Sequence, residues 1–389
     1  MKPHRSRRVR LLVLSGALLG ANALASDSLP EAASKKEAPS RIWSAEDGWL
    51  DISGFIDTAY GFVPVVIPIT EPAVGLGGAG ALVFIDKQKG EEKAGFGRPN
   101  ISAIGALGTE NGTRGAFAGD MRHWLDDRVK TLVGVVQASV NLDFYGIGRD
   151  PLLQDRPKSY NLETTAGVVK GQYRVGSSQV WVGLGYALAS TNVKFDVLPE
   201  VASLPDLQFK SRVGGLLPAV SFDSRNNIFT PTSGDYLDLS AGLFSKALGS
   251  DTDFQRVNLT AIHYQPLTRD LTLGLLGNSV LSYGDVPFYL RPFVFMRGVP
   301  AMRYQGDYMA QAEAELRWQF WERISLVGFG GAGATRNENG RRDQNVAAGG
   351  FGFRYELARK YGLHMGLDFA HGPDGPAWYI QFGSAWMRP

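Results

Sequence analysis

QAEAELRWQFW, residues 311–321, alternates with a period of two. Ala312, Ala314, Leu316, Trp318 and Phe320 fall on one face; Glu313, Glu315, Arg317 and Gln319 fall on the other. A helix would scatter these residues around its axis, whereas a strand separates them. In SQVWVGLGYALAS, Val180, Val182, Leu184, Tyr186 and Leu188 oppose Trp181, Gly183, Gly185, Ala187 and Ala189. In GGFGFRYEL, Phe351, Phe353, Tyr355 and Leu357 oppose Gly350, Gly352, Arg354 and Glu356. In KYGLHMGLDFA, Tyr361, Leu363, Met365, Leu367 and Phe369 oppose Gly362, His364, Gly366, Asp368 and Ala370.

One face is thus apolar and aromatic, and the other is glycine, alanine and charge. The pattern recurs from about residue 50 to the end, which leaves room for about 16 strands with their loops. Alternating segments of about ten residues separated by turns are the mark of a membrane-spanning barrel. A bilayer admits only helices or closed barrels, because every backbone amide must be paired. Beyond the N-terminal segment, no apolar run is long enough for a spanning helix. The expected fold is therefore all-β: a transmembrane antiparallel β-barrel of about 16 strands over residues 49–389.

The N-terminus sets the compartment. MKPHRSRRVR is basic, LLVLSGALLGANALA is a short apolar run, and Ala23-Leu24-Ala25 is a small-x-small cleavage site. Residues 1–25 read as a cleaved signal peptide and residues 26–48 as a disordered periplasmic segment, which places the barrel in a Gram-negative outer membrane. The chain has no cysteine, so disulfide and thiolate–metal chemistry are excluded. A net charge of +2 over 389 residues gives no case for nucleic acid. Forty-eight glycines and 11% aromatic residues suit a β protein better than a helical enzyme.

Two glycine runs match a dinucleotide-binding fingerprint: Gly75, Gly77 and Gly80 in VGLGGAGA, and Gly328, Gly330 and Gly333 in VGFGGAGAT. That motif needs a following helix whose amides meet a pyrophosphate. ALVFIDKQKGEE and ATRNENGRRDQN follow instead, so both runs read as strands and no cofactor is expected. In SLVGFGGAGAT, Val327 and Phe329 are placed toward lipid and Gly331 and Gly333 toward the lumen, as close-approach positions.

FVFMRGVPAMRYQGDYMAQAEAELRWQF, residues 293–320, resembles the barrel domain of the BamA/TamA-type bacterial surface-antigen family. Met296, Arg297, Gly298 and Val299 stand in that family's (V/L/M)-R-G-(Y/F/V) motif; Arg303, Tyr304, Gly306 and Asp307 follow it; Glu315 and Arg317 match its E-x-R. SFDSRNNIFTPTSGDYLDL resembles a second family stretch through Asp223, Arg225, Asn226, Asn227, Pro231 and Gly234. DFYGIGRD matches a third, and WYIQFGSAW, with Trp378, Tyr379, Ile380, Phe382, Gly383 and Trp386, looks like the family's closing strand.

The resemblance implies a 16-stranded barrel whose extracellular loop between strands eleven and twelve folds into the lumen. A buried guanidinium needs carboxylates, and parity puts Glu313, Glu315 and Asp368 on the lumen face beside Arg317. Arg297 is expected to pair with Glu315 or Asp368. Relatives carry an acid where Gly331 stands, which shifts weight to Asp368. Trp378, Tyr379 and Trp386 read as interfacial girdle residues. His364 reads as a lumen hydrogen-bonding group, and the five histidines form no ligand pair, so no metal is expected.

The family's POTRA domains have no counterpart in residues 26–48, too few to pack a domain. The expected role is protein or lipid insertion or translocation through a weak seam pairing residues near 55–68 with 376–386, where Pro64 and Pro68 suit an edge-like strand. The alternatives are a gated or passive pore, with Arg354, Glu356, Glu315 and Arg317 setting ion preference, and a structural surface barrel. No G-x-S-x-G and no His–acid constellation appear, so no enzyme is expected. Implied partners are outer-membrane lipids and lipopolysaccharide, the barrel assembly machinery for the chain's own insertion, an unidentified client, and a second copy of the chain.

Overall fold

The computed structural model describes residues 42–58, 61–86, 100–146, 157–195, 208–338 and 343–387. The expected signal peptide, most of the 26–48 segment, and Ile147 and Gly148 of the third family stretch lie outside these residues.

A short helix, α1 (Ser53–Thr58), precedes 17 strands: β1 (Gly61–Ile69), β2 (Gly77–Asp86), β3 (Asn100–Thr109), β4 (Arg114–Trp124), β5 (Val129–Phe144), β6 (Lys158–Arg174), β7 (Val180–Phe195), β8 (Gln208–Leu216), β9 (Ala219–Asp223), β10 (Gly234–Phe244), β11 (Phe254–Pro266), β12 (Leu271–Gly284), β13 (Tyr308–Gln319), β14 (Ile324–Arg336), β15 (Gln344–Ala358), β16 (Leu363–Gly372) and β17 (Gly375–Phe382). All pair antiparallel in one sheet, each with its sequence neighbours. β8 and β9 both lie between β7 and β10, so they are one interrupted strand and the sheet has 16 positions. The interruption is Leu217-Pro218, and proline has no amide for the ladder.

What is buried and what is exposed invert the order of a soluble protein. Glu313, Glu315, Arg317, Arg354 and Asp368 are buried, whereas Leu184, Leu316, Trp318, Phe351, Phe353 and Leu367 are exposed. Only a sheet closed around a polar interior with an apolar medium outside satisfies both faces. Gly77 and Gly80 lie within β2 and Gly328, Gly330 and Gly333 within β14, whereas Gly75 sits in the preceding turn with φ +78°.

Three expectations change. Val327 and Phe329 are buried, with Ala370 and Tyr379 beside them, not lipid-facing. Positions 327, 329, 331 and 333 share one parity, so they point the same way, inward. The segment expected to begin the first strand at 55 is helical to Thr58, and β1 starts at Gly61. Finally, β1 pairs only with β2 and β17 only with β16; among the described residues no ladder joins β1 to β17. The sheet nonetheless curls until its edges meet, where the Ile380 amide donates to Thr70 Oγ1 (3.3 Å). The unbroken β1–β2 register tolerates Pro64 and Pro68 where their nitrogens face away from β2, toward that edge.

Residues 42–58 form no free tail. Asp51 N donates to Ile42 O and Ile52 N to Leu357 O. Trp49 stacks on Tyr355, and the Tyr355 hydroxyl donates to Leu50 O. The boundary drawn at 48/49 therefore falls inside an ordered segment that grips the β13–β14 and β15–β16 turns.

Candidate functional site in the barrel lumen

The β12–β13 connection, residues 285–307, is held on two walls. At its start Phe288 packs among Phe144 (ring centroids 5.1 Å), Tyr160 (5.4 Å) and Phe195 (5.6 Å) on β5, β6 and β7. The chain then crosses to β13 and β14. Gln311 brackets the Phe295 backbone, accepting from its amide (2.8 Å) and donating to its carbonyl (2.7 Å). Val294 is fully buried against Gly333, where a Cβ would meet its methyl at 2.7 Å. A side chain at Gly333 would therefore displace Val294 of the loop.

Met296, Arg297, Gly298 and Val299 form a turn closed by Val299 N donating to Met296 O (3.1 Å). Gly298 has φ +89°, which disfavours any side chain there, and a Cβ would press on Ala348 and Ala370. Its amide donates to the Tyr379 hydroxyl (2.9 Å). The turn presents Arg297 to the wall. Nη1 donates to Asp368 Oδ2 (2.8 Å). Nη2 lies 2.8 Å from Glu315 Oε2 and 4.0 Å from Glu313 Oε2. The guanidinium also covers the Phe329 ring at 3.6 Å. Asp368, fully buried, receives Arg354 through both terminal nitrogens as well. Gly352 opposite it leaves the space, since a Cβ there would sit 1.9 Å from Asp368 Oδ1.

Beyond the turn, Arg303 donates to Asp374 Oδ1 (2.9 Å) and lies over the Tyr145 ring (4.0 Å). Tyr304 donates to Asp374 Oδ2 (3.2 Å), and Asp307 pairs with Arg291. The Ala301 amide donates to Glu71 Oε1 (3.0 Å) in the β1–β2 turn. Burial pushes the Glu71 carboxyl above its usual range, against the lowering effect of the Ala301 and Ala73 amides. Gly306 admits no Cβ beside the Arg336 carbonyl.

The structure thus brings Arg297 to both Glu315 and Asp368, where the sequence left one or the other open. It places the other expected residues differently. Arg317 donates to the Pro231 carbonyl (2.7 Å) in the β9–β10 loop, not to the lid. At Gly331 a Cβ would fall 2.6 Å from Glu313 Cγ and 2.7 Å from Ala312 O, so its close neighbours are β13 and the Glu313 side chain fills the space of the missing acid. Tyr379 and Trp386 are buried and face inward, not into an interface; Trp386 packs with Ile262, Tyr264 and Leu276. Trp378 is exposed. β17 ends at Phe382, and Gly383 turns the chain with φ +71°.

The second family stretch closes the opposite end. Arg225 is bound to both oxygens of Asp223 and covers Tyr236. Asn227 Nδ2 donates to Tyr361 O, and Ser384 N donates to Phe229 O. At the same end lies a clamp that no motif announced. Arg323 donates to Asp47 Oδ2 (2.6 Å) and to Asp51 Oδ2 (2.9 Å). The Arg323 hydrogen bond holds the Asp47 carboxyl well below its usual range. At Asp51 burial works upward, but the Ser53 hydroxyl and amide and Arg323 outweigh it, so that carboxyl is also lowered. Arg354 was recoverable from parity, which puts it inward with Asp368. Glu71, Tyr145 and Asp374 sit in turns, where no period marks them.

The Omp85 superfamily domain model matches residues 96–371, more than half of the chain. The chain belongs to the Omp85 superfamily. No curated protein matches it. Among solved structures, this Omp85 chain is similar to BamA from Haemophilus ducreyi lacking POTRA domains 1–3, with TM-score 0.56 and 13% identity over 88% of this chain and 80% of that one. It is also similar to CdiB from Acinetobacter baumannii, with TM-score 0.53 and 10% identity over 82% of this chain and 58% of that one. At these identities the likeness is one of fold.

Proposed function

We propose that this Omp85 barrel resides in a Gram-negative outer membrane and assists insertion or translocation of protein or lipid there. The observation that carries the reading is the edge between β1 and β17. Every other neighbouring pair in the sheet is laddered, whereas this one, among the described residues, is bridged by Ile380 and Thr70. In a bilayer an unpaired strand edge is costly, so an edge kept unladdered has a use: admitting a strand or a lipid sideways. The lid over the lumen argues against a freely conducting pore, which stands as the second reading. The same edges can pair with a client strand or with a second copy.

Because the chain has no native cysteine, Thr70→Cys and Ile380→Cys together test this. Oxidising the pair should abolish insertion of a second barrel protein into liposomes, and reduction should restore it. Full activity with the edges cross-linked would sink the reading. A large, steady single-channel current from the unmodified protein would favour the pore.

A further inference from the structure

Between the lid and the β10–β12 wall lies an inward-facing cavity of about 360 Å³, lined by Arg256, Asn258, Thr260, Asn278, Phe293 and Phe295. Its hydrogen-bonding capacity is only partly used. Arg256 donates once, to Leu290 O (3.1 Å), and forms no ion pair among the described residues. That sets it apart from Arg297, Arg323 and Arg354, each of which has a carboxylate. Asn278 spends its amide on Asn258 Oδ1, Leu259 O and Thr260 Oγ1, each 3.0 Å away, while its own carbonyl accepts nothing among the described residues. Asp238, also on the lining, accepts from Ser240 through one oxygen, and its other oxygen accepts nothing among the described residues. Above them Phe295 is 57% exposed although its neighbours Val294 and Met296 are buried, and it meets Phe293 edge-on.

These parts define a ligand. An arginine without a carboxylate is a fork for an external carboxylate or phosphate. Open carbonyl and carboxylate acceptors take hydroxyl protons. An exposed ring in a polar cavity offers a face to the C–H side of a sugar ring. The volume falls in the range of small-molecule sites. We propose that this cavity binds an acidic monosaccharide, with its anionic group on Arg256, its hydroxyls on Asn278 and Asp238, and its ring on Phe295. Phe293, Phe295 and the Leu290 carbonyl belong to the lid, whereas Arg256 and Asn278 belong to the wall, so the ligand would bridge the two.

The test uses the purified barrel in detergent micelles, with glucuronate, glucose and inorganic phosphate as probes, followed by calorimetry and saturation-transfer NMR. It needs no client, so it stands apart from the insertion reading. Glucuronate should bind at least tenfold more tightly than glucose or phosphate. Arg256→Gln should lower glucuronate affinity tenfold or more. Phe295→Ser, at a side chain already exposed, should weaken glucuronate but not phosphate. Equal binding of phosphate and glucuronate would reduce the site to a simple anion hole and overturn the proposal. Glucuronate binding unchanged by Arg256→Gln, or no binding at all, would also overturn it.

Discussion

Two arginines hold the non-barrel parts of this chain in place, and they do so differently. Arg297 (7% exposed) ties the lid to the middle of the wall; Arg323 (1% exposed) ties the N-terminal segment to the turn end. Each engages two carboxylates, Asp368 with Glu315 and Asp47 with Asp51. The surroundings separate them. Asp368 is fully buried and shared with Arg354, so the lid anchor is part of a buried network. The carboxylates on Arg323 come from an irregular segment at the rim. Breaking either pair leaves a buried arginine uncompensated, but at Asp368 that charge is coupled to Arg354 and the lid, whereas Asp47 and Asp51 serve only the N-terminal segment. The lid should therefore fail as a unit and the N-terminal segment alone.

The sharpest break is at Asp368. Asp368→Ala strands Arg354 and leaves Arg297 only Glu315 and Glu313, and loss of one partner from a buried pair costs about 3–5 kcal/mol. The folded barrel should denature at a clearly lower temperature in gel-mobility unfolding. An unchanged midpoint would show that Glu315 and Glu313 carry the anchor. Arg297→Ala should cost less, because Asp368 keeps Arg354; its signature is function of the lid. Single-channel conductance should rise and trypsin should gain access to Arg291 and Arg303, with the N-terminal segment still docked. A closed channel in Arg297→Ala would mean that the Phe288 cluster and Gln311 suffice to hold the lid.

How far these two anchors were legible follows from their geometry. Arg297 stands in a motif and its partners lie on strands, where parity fixes the facing side. The assignment fails where parity is not followed through: Val327 and Phe329 share the parity of Gly333, and Tyr379 follows the outward Trp378. An aromatic residue at a strand end looks the same from composition whether it greets lipid or fills the lumen, and only register decides. Arg323 was beyond reach for another reason. Its partners lie 276 and 272 residues away in a segment without period. The unladdered edge was readable only in part, because Pro64 and Pro68 mark a strand that dislikes a partner without saying on which side.

The clamp at Arg323 gives the next test. Arg323→Ala should leave conductance and lid protection unchanged and release residues 42–58 to protease several-fold faster. Loss of lid protection in this variant would mean that the two ends communicate. Acid should do the same as the substitution. The Asp47 and Asp51 carboxyls are lowered in the folded chain, so their stabilisation is complete above the unfolded aspartate value of about 3.9 and disappears as pH falls below it. The segment should remain docked at pH 5 and become cleavable by pepsin only below about pH 4. Release at pH 6 would contradict this assignment.

The smallest effect is expected at Glu71, which sharpens the comparison by having the opposite sign. Burial raises its carboxyl, so ionisation here opposes folding, and stability falls as pH rises from the unfolded value toward the folded one. Yet Oε1 accepts from Ala301 and, at 3.4 Å, from Ala73. Glu71→Gln keeps that acceptor and removes the charge, so it should be neutral or stabilising by less than about 1 kcal/mol near neutral pH. Asp47→Asn, which also keeps an acceptor, should loosen its segment, because there the charge itself faces Arg323. Unfolding midpoints and proteolysis of the two variants at pH 7 separate the cases. If Glu71→Gln destabilises as much as Asp47→Asn loosens, the carboxylate at the lid edge is an anchor in its own right, and the lid is held by charge at both its centre and its rim.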